Sequence, residues 1–160
     1  MIYTNQIPSP AGDLTLGVDD SGGVTHLLFG ALEINGSTRD GARTAELERQ
    51  LREYFAGERR EFELRLNGSG TPFQKRVWDE LTRIPYGQTI SYGELARRVG
   101  NPNGSRAVGS ANGQNPISII VPCHRVIGAS GKLVGYGGGL PIKEKLLELE
   151  RQFATQPSLL

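Results

Sequence analysis

Short runs rich in apolar β-branched or aromatic residues open the chain: 2-IYTNQI-7, 13-DLTLGV-18 and 23-GVTHLLFG-30. The breaks between them, PSPAG and DDSGG, are rich in turn formers, so three strands are predicted. A helical period follows. Leu47, Leu51, Tyr54 and Phe55 recur at helical spacing, which predicts a helix over about 42–56 that Gly57 stops. Strand-like alternation marks 61-EFELRL-66, which reads as another strand. The polar, flexible 67-NGSG-70 reads as a hinge and divides the chain into domains at 1–70 and 71–160.

Helical spacing dominates the second half. Thr71, Pro72 and Gln74 make a capping-box start for a helix with Phe73, Val77, Trp78, Leu81 and Ile84 on one face, ended by Pro85-Tyr86-Gly87. Ser91 and Glu94 form a second such box for 91-SYGELARRVG-100, with Gly100 as the stop. After 101-NPNG-104, Ser105 is placed to cap a third helix over 105–114. Two short helices joined by a tight glycine-containing turn make a helix-turn-helix pattern. A last helix starts near Pro141 with Ile142, Leu146 and Leu149 inward, and ATQPSLL reads as a frayed end.

Composition changes this picture in three places. First, 37% apolar and 22% charged residues suit a globular protein, and no run approaches the ~20 apolar residues of a membrane span. The N-terminus has neither a basic nor an apolar signal-peptide region, and a cytoplasmic location is expected. Second, Cys123 is the single cysteine, so an intrachain disulfide, a resolving thiol and a cysteine-rich zinc site are excluded. Third, charge is uneven. Residues 1–70 carry 7 basic and 11 acidic side chains, a balance of −4, and residues 71–160 carry 11 and 6, a balance of +5. A basic second half is suited to a polyanion.

Two features invite chemistry, and each has a plain structural alternative. The third helix offers Arg106 and then small residues: Ala107, Gly109, Ser110, Ala111 and Gly113. Smallness serves tight helix packing or close approach to a narrow groove, and the pattern does not separate the two. Cys123 follows an apolar run and precedes His124 and Arg125. It reads as a buried small hydrophobe or as a nucleophile, which needs a partner that promotes ionisation. Adjacent residues point apart, so a direct Cys123–His124 hydrogen bond is not expected.

The run 121-VPCHRVIGASGKLVGYGGG-139 resembles the active-site signature of the O6-alkylguanine-DNA alkyltransferases, whose hallmark is Pro-Cys-His-Arg-Val. The similarity extends to 85-PYGQTISYGELA-96, 105-SRAVGSANGQNP-116 and 140-LPIKEKLLELE-150, all in the family's order. It covers about 71–150 closely and the first segment loosely. The resemblance implies an RNase H-like α/β N-terminal domain and a mostly helical C-terminal domain with a winged helix-turn-helix-like DNA-binding unit. It implies that Cys123 accepts an alkyl group from guanine O6, or from thymine O4, once and irreversibly. A water would link Cys123 to His124, His124 would be held by Glu150, and Asn115 would order the active-site turn. If that relay polarises the thiol, Cys123 should titrate below the ~8.5 of a free cysteine.

The same resemblance assigns Tyr92, Gly93, Asn101 and Arg106 to DNA binding, with Arg106 filling the stack left by an extruded base. It assigns Tyr136, Gly137 and Gly138 to the pocket for that base. The implied partner is double-stranded DNA carrying alkylated guanine, met by a monomer without a cofactor. Some members of the family hold zinc in the first domain. This chain has only His26 there, in a strand pattern, so no metal is expected and His26 reads as structural. A DNA-binding regulator without transfer and a cysteine hydrolase are the rival functions.

Overall fold

The computed structural model describes residues 1–131 and 135–156. Residues 132–134 of the signature run and 157–160 of the expected frayed end lie outside the described residues. The three strands predicted at the start are present as β1 (Ile2–Ile7), β2 (Leu14–Asp19) and β3 (Val24–Phe29), an antiparallel meander. A fourth strand, β4 (Ser37–Arg39), pairs parallel to β1 and gives the order β3-β2-β1-β4. It escapes sequence reading because three polar residues on an edge carry no period. Central β2 is buried from Leu14 to Val18. A Cβ on Gly17 would lie 3.0 Å from that of His26, so β2 needs glycine where it passes the histidine.

Helix α1 (Ala45–Phe55) packs Leu47, Leu51 and Tyr54 inward as the spacing predicts, although it starts three residues later. The expected strand at 61–66 is not a ladder. Its alternation does mark a real face, with Phe62, Leu64 and Leu66 packed on the core. Its backbone is served instead by buried Gln50, whose Oε1 accepts from Glu63 N at 2.9 Å and whose Nε2 donates to Glu63 O at 3.2 Å. Only Leu66 forms a bridge, to Val24 of β3. Farther along the same edge Leu27 bridges Ile117 of the second half, with Leu27 N–Pro116 O at 2.9 Å and Ser118 N–Leu27 O at 3.0 Å.

Helix α2 (Pro72–Leu81) begins with both halves of the capping box formed by Thr71 and Gln74. It stops before Ile84. The Thr82 hydroxyl donates to Asp79 O at 2.6 Å, and Pro85 disfavours helical geometry at residue 84. Ile84 is buried from a turn. Helix α3 (Tyr92–Arg98) has half the expected box: Ser91 accepts from Glu94 N, while the Glu94 carboxylate pairs with Arg97 and Arg98. Helix α4 (Ser105–Gly113) starts where expected, but with Gly104 rather than Ser105 at the cap and no side-chain capping bond. The last helix, α5 (Leu140–Ala154), buries Lys143, Leu146, Leu147 and Glu150. Two short strands, β5 (Ile90–Ser91) and β6 (Val126–Ile127), pair in parallel between α2 and α5. One apolar cluster joins both halves, from Leu14 and Leu51 to Val77, Ile119 and Leu146.

Candidate active site

Cys123 opens a single 3-10 turn, Cys123–Arg125, and is 4% exposed. The approach to it is taut. Ile119 has φ 72°, a left-handed conformation costly for a β-branched residue, and is held by the turn Val121 N–Ile117 O at 3.0 Å. Asn115 secures this turn from inside. Its Nδ2 donates to Val121 O at 2.8 Å, and its Oδ1 accepts from Ile117 N at 2.9 Å. Asn112 donates to Cys123 O at 3.4 Å.

The thiol forms part of the wall of a cavity of about 440 Å³, a size suited to a small ligand. Tyr92, Asn112, Asn115 and Ser118 line it from the helical half, and Gly135, Tyr136 and Gly137 from the segment before α5. Leu28, Phe29 and Leu32 of the first half complete the wall. The Tyr136 ring packs at a tilt against Phe29, with centroids 5.6 Å apart. The Tyr136 hydroxyl lies beside the thiol but makes no hydrogen bond of standard geometry among the described residues. Gly138 packs against the Phe29 ring rather than facing the cavity.

Behind the thiol lies a buried ionic network centred on Glu150. His124 Nε2 is 2.7 Å from Glu150 Oε2. Arg125 grips the same carboxylate with two donors, Nε to Oε1 at 2.8 Å and Nη2 to Oε2 at 3.0 Å, and gives Nη1 to Ile84 O at 2.7 Å. The Tyr54 hydroxyl donates to Glu150 Oε2 at 2.6 Å. Burial alone would raise the Glu150 pKa, but His124 and Arg125 outweigh it and hold the carboxyl well below its usual range. Burial pushes the His124 pKa down, against the pull of Glu150. His124 is therefore neutral at pH 7, with its Nε2 proton given to the carboxylate. Its Nδ1 is a buried acceptor without a hydrogen bond among the described residues.

The thiol does not follow the sequence expectation of a low pKa. Burial raises it above the ordinary cysteine value, against the opposing influence of Asn115, Tyr136 and Lys143. Lys143 is fully buried on α5, gives Nζ to Val126 O at 2.7 Å, and lies 6.0 Å from the ring centroids of both Tyr92 and Tyr136. The site thus stores a protonated thiol next in sequence to a neutral imidazole.

Among the assigned residues, Cys123, Asn115, Tyr92, Tyr136 and Gly137 gather at the cavity, and His124 and Glu150 lie behind it. Gly93, Asn101 and Arg106 sit elsewhere, on α3, on the turn before α4 and on α4. Arg106 is exposed. Among the described residues, no group of three or more His, Cys, Asp or Glu side chains is placed to hold a metal ion. Sequence reading missed Tyr54, Asn112, Phe29 and Lys143. Lys143 did leave a signal, since 143, 146, 147 and 150 form one helical stripe with a charge at each end. Tyr54 left none, because its partner is 96 residues away.

Comparison with known proteins agrees with this architecture. The family model of the 6-O-methylguanine DNA methyltransferase ribonuclease-like domain matches residues 2–67, and that of the DNA binding domain matches 72–152. The chain is 51% identical over 159 residues to a methylated-DNA–protein-cysteine methyltransferase of Mycobacterium tuberculosis (strain ATCC 25618 / H37Rv), covering 96% of this chain and 95% of that one. It is 47% identical over 154 residues to the Methanosarcina mazei protein of the same name, covering 93% and 97%. The crystal structure of Mycobacterium tuberculosis O6-methylguanine methyltransferase matches with TM-score 0.90 at 50% identity, over 98% of this chain and 97% of that one. The structure of Mycobacterium tuberculosis OGT in complex with DNA matches with TM-score 0.89 at 51% identity, over 94% of each chain. Both halves of the fold match, at high identity and over nearly the whole length, and the chain accordingly belongs to the 6-O-methylguanine DNA methyltransferase family.

Proposed function

We propose that this protein repairs DNA directly, as a methylated-DNA–protein-cysteine methyltransferase in which Cys123 takes the alkyl group from guanine O6. The observation that carries the reading is the setting of the only thiol: in the wall of a cavity, and next in sequence to a buried, neutral imidazole fixed by Glu150. The sulfur attacks the alkyl carbon, and the new S–C bond forms as the C–O6 bond breaks. The thiol proton passes through one water to His124 Nδ1, while the Nε2 proton stays on the Glu150 carboxylate's side of the ring. The raised thiol pKa makes proton removal part of the reacting complex rather than of the resting protein. The electron pair leaves on guanine, which the Tyr136 hydroxyl steadies by donation. The product is a thioether.

The partner in this reading is double-stranded DNA with an alkylated guanine, extruded into the cavity. Helices α3 and α4 act as the helix-turn-helix. Tyr92, Gly93 and Asn101 meet the strand at the start of α3 and in the turn, and the small side chains of α4 allow close approach. Arg106 takes the place of the extruded base. The likeness to a relative solved with DNA supports this placement. Intact mass after mixing with a duplex containing O6-methylguanine tests the proposal. One added methyl on the Cys123 peptide, and none in Cys123→Ala, is expected. Repair with unchanged protein mass would mean hydrolysis, and binding without repair would mean a regulator.

A further inference from the structure

The carboxylate that holds His124 is itself held by a residue of the first half. Tyr54 on α1 is fully buried and gives its hydroxyl to Glu150 Oε2, the same oxygen that His124 Nε2 approaches. Its ring is fixed by Phe55, Phe62 and Tyr86 at centroid distances of 5.3, 5.6 and 6.3 Å. A structural hydroxyl needs only some acceptor. This one shares the oxygen on which the imidazole depends.

We infer that Tyr54 is a positioning residue that tunes the proton relay of Cys123 through Glu150. The inference rests on the reading of Cys123 and His124 as the reacting pair. Arg125 already fixes the orientation of Glu150 with two bonds, so the distinct effect of Tyr54 is on charge. A donor on Oε2 spreads the carboxylate's negative charge and weakens its attraction for the His124 Nε2 proton. With the donor removed, that attraction grows and Nδ1 becomes the stronger base. The other groups facing this carboxylate are accounted for. Arg125 pairs with it, Gly87 N lies 3.4 Å from Oε1, and the Tyr86 and Tyr136 hydroxyls remain neutral because burial raises both. Lys143, from α5 itself, acts on His124 and Cys123.

Because Cys123 is the only thiol, its alkylation by iodoacetamide reads the relay without DNA. Tyr54→Phe should move the pH profile of that reaction to lower pH, with a rate near pH 7 raised about threefold, half a unit of pH. Site-specific 3-fluorotyrosine at residue 54, a stronger donor of almost the same shape, should move it the other way. An unmoved profile in both variants overturns the inference, whatever happens to thermal stability. A uniform loss of rate with the profile unmoved also overturns it, since a merely structural tyrosine would give that. The fluorinated variant decides the matter where Tyr54→Phe fails to fold. Methyl transfer from duplex DNA, measured alongside, separates this result from a failure of the repair reading: wild type without transfer rejects repair, yet leaves the thiol profile interpretable.

Discussion

Glu150 accepts from an imidazole, a guanidinium and a phenol at once, the first two from the Cys123–Arg125 turn and the third from α1. Such a buried network is costly to break, because removing one partner leaves the others unpaired in a poorly solvating interior. It also ties stability to pH. His124 is kept neutral, so below the ordinary imidazole value of 6.5 the unfolded chain binds a proton that the folded chain refuses. Stability therefore drops as pH falls past that value. Half-buried His26 acts in the same direction. Glu150 has a lowered pKa, so its contribution is complete above about 4.5 and is lost as pH falls from there toward the folded value. Calorimetry from neutral pH downward should show melting temperature declining in two stages. His124→Gln should shrink the first, with the rest left to His26. A melting temperature constant between pH 7 and 5 would contradict the assignment of a neutral His124.

At the scale of elements, the segment before α5 is shaped by what its glycines touch. A Cβ on Gly138 would fall 2.7 Å from the Phe29 ring, whereas one on Gly137 would meet nothing within 4 Å. Gly138→Ala should push Phe29 and its neighbour Tyr136 out of place and slow alkyl transfer at least several-fold. Gly137→Ala, whose added methyl meets no protein atom, should leave the Phe29–Tyr136 pair in place and slow transfer less. Equal rates in the two variants, measured with the same methylated duplex, would show that the Phe29–Tyr136 pair does not shape the pocket. The elements themselves were largely readable. β-branched and aromatic content located β1 to β3, and helical spacing located α1, α2 and α5 because one face of each helix is buried. The misses have a common cause. Gln50 stands in for a neighbouring strand beside Glu63, Glu94 turns to Arg97 and Arg98 instead of closing its box, and Gly104 takes the cap expected of Ser105. In each case a polar side chain or backbone group had more than one partner within reach, and only for Gln50 does the partner lie outside its own helix.

For the molecule as a whole, the signature around Cys123 carried the chemistry, but half of the cavity's apolar wall comes from residues that no local motif marks: Leu28, Phe29 and Leu32. Separation in sequence hid them, as it hid Tyr54. Separation in space also divides the reading of function. Arg106 is exposed on α4 and does not line the cavity, whereas Cys123 does. Arg106→Ala should therefore slow repair of duplex DNA strongly while sparing reaction with free O6-benzylguanine, which needs no extrusion. Comparable losses on both substrates would remove its assigned role.

The pairing of β3 with Leu66 and with Ile117 has one more consequence, for solubility. β3 lies at the end of its sheet, and an unpaired strand edge recruits other chains. The loop that leads to the nucleophile is also the cover for that edge. Whatever prises residues 116–118 from β3, a substitution or a bulky adduct, uncovers a row of backbone donors and acceptors. Damage to the pocket and a tendency to aggregate should then arrive together, so loss of function in such variants would be seen first as loss of soluble protein.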